Sequence, residues 1–210
     1  MVHHDLGDAV LDVVRRCHGM IHNMDHALDM TGKVVIVTGA GGIVTTWEAG
    51  PAQSGGRIVA AGDPRVHEAA LKQHLIEWAG TRSIEHVVDD AGNLILRKAA
   101  SAGCEAVPGV ILQGHLDMVC QANAGTRHDF ERDPIRAEVR GGWVVAEGTT
   151  LGADNGIGVA LALAFLEETG LAHPPLEVLL TVNEETGMDG ARGLEPGALR
   201  GKTLINPDTE

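Results

Sequence analysis

Between positions 66 and 79 the run VHEAALKQHLIEWA places Leu71, Leu75, Trp78 and Ala79 on one face at helical spacing, which predicts an amphipathic helix. Downstream the period changes. IEHVV and LILR are short strand-like runs separated by the turn sequence DDAGN, and together they predict a β-hairpin over about 84–97. GVILQG reads as an apolar strand, IRAEV and WVVA as a pair around Gly141 and Gly142, and GIGVALALAFLEET as a helix over about 156–169. The strands LEVLLTV and KTLIN follow. Alternation of this kind predicts an α/β layer with a largely buried sheet. Nearer the start, AVLDVVRRCHGMI predicts a helix over 9–21 and KVVIVT a buried strand over 33–38.

Between the two regions, GAGGIVTTWEAGPAQSGG concentrates Gly, Pro and Ser, which is linker chemistry, and a boundary is placed there. Composition narrows the function classes. Sixteen basic residues against 29 acidic ones give a net charge of −13, which argues against a nucleic-acid surface and suits cations or small polar substrates. Cys17, Cys104 and Cys120 are too scattered for a disulfide framework and fit a reducing compartment. The N-terminal MVHHDLGDAVLDVV carries acids where a signal peptide needs a basic region and an apolar core. The apolar run VVIVTGAGGIVTTW is shorter than the roughly 20 residues of a membrane span. The expectation is a soluble cytoplasmic protein with no membrane partner.

Candidate ligand groups fall at the ends of predicted strands. His115 and Asp117 end GVILQGHLD, Asp154 stands before a helix in TTLGADNGIG, Glu184 and Glu185 follow LLTVN, and Asp208 follows KTLINP. Open α/β sheets bind ligands at the carboxyl ends of their strands, so these groups are placed to converge. A histidine among carboxylates suits Zn, Mn or Co. Neighbours on an extended segment point in different directions, so one glutamate of the pair could bind metal while the other addresses the water beside it.

The blocks GDPRVHEAALKQHL, DDAGNLILRKAASAG, VILQGHLDMVCQ, HDFERDPI, GTTLGADNGIGVALAL, PPLEVLLTVNEETGMDGARGL and LINPDTE resemble the aminoacyl-histidine (Xaa-His, carnosinase-like) dipeptidases of the zinc-dependent dipeptidase and aminoacylase family. The resemblance covers about residues 57–210. It implies the N-terminal part of a three-layer zinc-peptidase-like catalytic domain, C-terminally truncated, with a mostly buried mixed sheet. It also implies hydrolysis of dipeptides of the Xaa-His type at two divalent ions, Zn with Mn or Co as alternatives. Carried over by motif, His115 binds one ion, Asp154 bridges both, Asp208 completes the first site and Glu185 binds the second. Glu184 becomes the general base and Asp117 orients His115. Ions about 3.5–4 Å apart would acidify a shared water and polarise the scissile carbonyl. In that family a downstream histidine, beyond a lid domain, completes the second site. The sequence stops at Glu210, which leaves open a catalytically incomplete metal-binding fragment. An apolar face left open by the implied truncation makes self-association, as a homodimer for example, the expected assembly.

Residues 1–56 lie outside that resemblance. LDMTGKVVIVTGAGGI instead resembles the first strand and turn of short-chain dehydrogenases, but Ile43 and Thr45 stand where the phosphate-cradling loop needs glycine. The chain has no tyrosine for that family's catalytic pair, so the segment reads as structural and an oxidoreductase as the weakest function. His18, His22 and His26 recur at helical spacing. Gly19 and Asn23 weaken that helix, and the stripe reads as a polar face rather than a zinc site.

Overall fold

The computed structural model describes residues 64–130, 133, 135–140 and 143–208. The expected helix at 9–21, the strand at 33–38, the histidine stripe and the boundary near position 56 lie outside the described residues.

The first described helix, α1 (Pro64–Thr81), contains the predicted amphipathic run, and Leu71, Leu75, Trp78 and Ala79 are all buried. The hairpin forms from β1 (Glu85–Val88) and β2 (Leu94–Lys98), paired antiparallel. Then come β3 (Val110–His115), the small hairpin β4 (Ala137–Arg140) and β5 (Trp143–Ala146), and helix α2 (Ala153–Glu167). Strand β6 (Leu176–Thr181), the short turns α3 (Glu184–Gly187) and α4 (Asp189–Arg192), and β7 (Thr203–Ile205) complete the described chain. None of its helices is long and apolar enough to cross a membrane.

Among the described residues, five strands form one mixed sheet in the order β1-β2-β6-β3-β7. β2 runs antiparallel to β6, while β3 runs parallel to both β6 and β7. All six residues of β6 are buried, whereas every residue of the outer strand β1 is exposed, so burial is confined to the middle of the sheet. The two-residue period of a strand divides the apolar residues between two faces. Leu94, Leu96, Leu112, Leu176, Val178 and Leu180 pack with Leu71, Leu75 and Trp78 of α1 and Val159 and Leu163 of α2. Ile95, Ile111 and Leu179 pack instead under Leu194, Ala198 and Leu199. Each fully buried Leu or Val contributes roughly 1.5–3 kcal/mol, so the helix-covered face dominates stability. On the outer side of α2, Ile157 and Leu161 are exposed, as is Leu204 of β7.

One charged residue interrupts β6. Glu177 is buried, and its Oε1 accepts from Arg97 Nε at 2.8 Å while Oε2 accepts the backbone N–H groups of Arg200 and Gly201, each at 2.7 Å. Arg97 also donates to the Ala198 carbonyl at 2.8 Å, so this pair ties the segment before β7 to the sheet. Burial pushes the Glu177 carboxyl up, but Arg97 and the two amides outweigh it and hold it below its ordinary value. Replacing Glu177 with Ala should therefore destabilise the fold by about 1–3 kcal/mol, because Arg97 keeps only the exposed Glu85 as an ion-pair partner and the Arg200 and Gly201 amides lose their acceptor. In the parent chain this contribution is fully present above the ordinary carboxyl value of 4.5 and is lost as pH falls through the lower folded-state value. Urea unfolding of both proteins across acidic pH checks both statements, and the stability gap between them should narrow toward low pH.

Candidate metal centre

The parallel pairing of β3 and β6 sets His115 opposite Thr181. Leu116 N–H donates to the Thr181 carbonyl at 3.0 Å and Thr181 Oγ1 to the Gly114 carbonyl at 3.2 Å, so the two strands end at one level. His115 is buried as the last residue of β3, and its Nδ1 lies 2.9 Å from the Asp117 carbonyl oxygen and 3.3 Å from Asp117 Oδ1. A carbonyl can only accept, so Nδ1 carries a hydrogen and Nε2 is the atom presented to the cluster. That Nε2 stands 3.1 Å from Asp154 Oδ1 and 3.7 Å from Asp208 Oδ2.

Asp154 belongs to an irregular helix start. Gly152 has a left-handed backbone, Asp154 and Asn155 have non-helical angles with a cis peptide between them, and regular helix follows. The carboxylate of Asp154 is 66% exposed, facing a cleft lined also by Asn155, Ile157, Pro207 and Asp208. Asn155 is buried, and its Nδ2 donates to Asp208 Oδ1 at 2.8 Å, which leaves Oδ2 directed to His115. This amide fits because its neighbours are glycines. A Cβ on Gly114 would lie 2.5 Å from Asn155 Oδ1, and one on Gly158 would lie 2.3 Å away.

The glutamate pair differs from the extended geometry expected of it. β6 ends at Thr181, and Glu184 and Glu185 open the helical turn α3, bracketed by Asn183 and Met188 in the left-handed region. The cause is Asp117, whose Oδ1 accepts the Glu184 N–H and whose Oδ2 accepts the Glu185 N–H, both at 3.0 Å. Asp117 was expected only to orient His115. Its carboxylate also holds the backbone that carries both glutamates.

Ligand atoms of His115, Asp154 and Asp208 lie within 4.8 Å of one another, as do those of His115, Glu184 and Glu185. The six residues expected at the site are therefore brought together, with Asp154 in the first of these groups alone. No Lys or Arg among the described residues pairs with this set of carboxylates. Burial drives the His115 imidazole toward neutrality, but Asp117, Asp154 and Asp208 overcome it and raise its pKa to about 9. Burial and the neighbouring Asp154 likewise hold Glu185 above the usual carboxyl range. An imidazole nitrogen among several oxygen donors with surplus negative charge fits a divalent cation of the Zn, Mn or Co type.

Along residues 111–207 the sequence matches Peptidase family M20/M25/M40. Over this stretch the chain is similar to that family. The matched stretch holds His115, Asp117, Asp154, Glu184 and Glu185, and Asp208 follows it directly. The cytosol non-specific dipeptidase of Escherichia coli is 49% identical over 154 residues, 73% of this chain and 32% of that protein. The aminoacylhistidine dipeptidase structure from Vibrio alginolyticus aligns with a TM-score of 0.65 at 50% identity, over 67% of this chain and 29% of that one. Aminopeptidase PepT from Bacillus cereus aligns with a TM-score of 0.57 at 26% identity, over 68% of this chain and 38% of its own. The chain thus spans about a third of the curated dipeptidase it matches.

Two residues beside the site carry no expected role: Asn155, and Glu68, whose Oε1 accepts the Asn183 N–H at 2.8 Å. Glu68 precedes Leu71 and Leu75 at helical spacing, so its place on the buried face of α1 was a readable signal. Asn155 had none, because its position depends on Asp208, 53 residues away. Removing the Asp117 side chain should cost about 2–3 kcal/mol, since hydrogen bonds to a charged acceptor contribute roughly 1.5–3 kcal/mol. Asp117→Asn, which keeps one oxygen, should lose less than Asp117→Ala in urea unfolding at neutral pH.

Proposed function

We propose that the matched stretch, with Asp208 following it, is the part of a metal-dependent dipeptidase that carries His115, Asp154, Asp208, Glu184 and Glu185 to the metal centre, and that the substrates are dipeptides of the Xaa-His type. The observation that carries this reading is the convergence of His115 Nε2 on the Asp154 and Asp208 carboxylates, beside the Glu184–Glu185 turn. The names of the E. coli and Vibrio relatives support dipeptides, and the second supports a C-terminal histidine. Zinc is the proposed ion, with manganese and cobalt as alternatives, and a cytoplasmic location agrees with the cytosol name of the E. coli relative.

In this reading His115, Asp154 and Asp208 would hold one ion, and Asp154 with Glu185 would serve a second. Such ions, when bound, would supply polarisation of the scissile carbonyl and acidification of water. Glu184 takes a proton from the attacking water and delivers it to the leaving amine. Asp117 keeps Nδ1–H of His115 engaged, so that Nε2 is the nitrogen whose proton an ion would displace. Asn155 fixes one oxygen of Asp208 and leaves the other for the ion.

Metal titration and an assay with a His-containing dipeptide separate the roles. Glu184→Gln should leave metal affinity near that of the parent and reduce turnover by at least 100-fold, within the range of general-base catalysis. Glu185→Gln should weaken metal binding, and Asp154→Ala should weaken it most. The reverse pattern for the two glutamates would exchange their roles. A chain that binds zinc or manganese without hydrolysing the dipeptide would fit the metal-binding-fragment reading instead.

A further inference from the structure

Glu68 is 8% exposed, on the face of α1 that otherwise builds the apolar core. A carboxylate there is costly unless something compensates it. Its Oε1 accepts the backbone N–H of Asn183 at 2.8 Å. Lys72, one turn along α1, attracts it but donates instead to the Gly92 carbonyl, at 2.8 Å. Asn183 has φ 52° and ψ 40°, the left-handed turn that redirects the chain from β6 into α3. The next two amides, of Glu184 and Glu185, belong to Asp117. Three successive N–H groups are therefore each met by a carboxylate oxygen, from α1 on one side and from the loop after β3 on the other. α3 is four residues long and cannot hold its own geometry, because a single helical turn does not recover its ordering entropy.

We propose that Glu68 is a positioning residue that fixes the Asn183–Glu185 turn and so the aim of both glutamates at the metal centre. The inference rests on the reading of Glu184 and Glu185 given above. It assigns Glu68 no contact with substrate or ion.

The test uses the 210-residue chain with Glu68→Gln, which keeps an acceptor oxygen, and Glu68→Met, which keeps length without one. In metal-free protein, the Asn183 amide should exchange slowly with solvent in the parent and Glu68→Gln, and at least tenfold faster in Glu68→Met. Manganese affinity, measured by calorimetry, should stay within about threefold in Glu68→Gln and fall about 10–100-fold in Glu68→Met, the usual effect of losing an outer partner of a metal ligand. In a Glu185→Gln background, Glu68→Met should cause no further loss. Unchanged Asn183 exchange in Glu68→Met, or an equal loss of affinity in that background, overturns the proposal. If the parent chain binds no manganese, the metal reading fails while amide exchange still decides the role of Glu68. If Glu68→Met does not fold, the parent decides, since an Asn183 amide exchanging as fast as an exposed turn amide would overturn the proposal.

Discussion

The parallel pairing of β3 with β6, from Val110 opposite Leu176 to His115 opposite Thr181, is the constraint on which the rest depends. Because both strands end at the same level, the segments leaving them emerge side by side. Asp117 needs no long reach to meet the amides of Glu184 and Glu185, and β7 on the other side of β3 delivers Asp208 from the same end. A slip of one residue would turn the apolar set of β6 to the wrong face and move the two loops apart. Burial of Leu176, Val178 and Leu180 against α1 and α2 thus secures the register that assembles the polar end.

At that end the balance of forces reverses, since the sheet edge gathers groups that repel one another. Asp154 and Asp208, and separately Glu185, lie close to one imidazole; Glu185 is raised by burial first and by Asp154 next, while the raised His115 value is a sign of this negative charge. Backbone amides relieve part of it. Asp117 takes two, and although burial opposes its ionisation, His115 and those amides keep its carboxyl below the ordinary value. Asp154, 66% exposed at the cleft, has no such amide among the described residues, so its charge is the least compensated within the protein.

Much of this was legible in the sequence wherever the information is local. The Leu71, Leu75 and Trp78 spacing, the hairpin around DDAGN, and the gathering of His115, Asp154, Glu184, Glu185 and Asp208 at strand ends all follow from periodicity and turn chemistry. What escaped depends on side chains bonding to distant backbone. Asn93 reads as a turn residue, yet it is fully buried, donating to Asp89 and to the Gly190 carbonyl while accepting from Val182 N–H. Glu177 reads as a charge in an apolar strand until Arg97, 80 positions away, is placed beside it. The helical turn at Glu184 was hidden for the same reason, since nothing in NEETG announces that an aspartate 67 residues earlier will hold its first amides.

The contact of Asn155 with Gly114 and Gly158 bears on how this sequence can vary. Alanine at either glycine would meet the amide oxygen well inside contact distance, so neither position accepts a side chain while Asn155 keeps its pose. Only a smaller residue at 155 would free them, and that change would also release the oxygen of Asp208 that the amide holds. The two glycines are therefore held by position 155, and drift at either is closed until Asn155 gives way, with the orientation of Asp208 altered as a consequence.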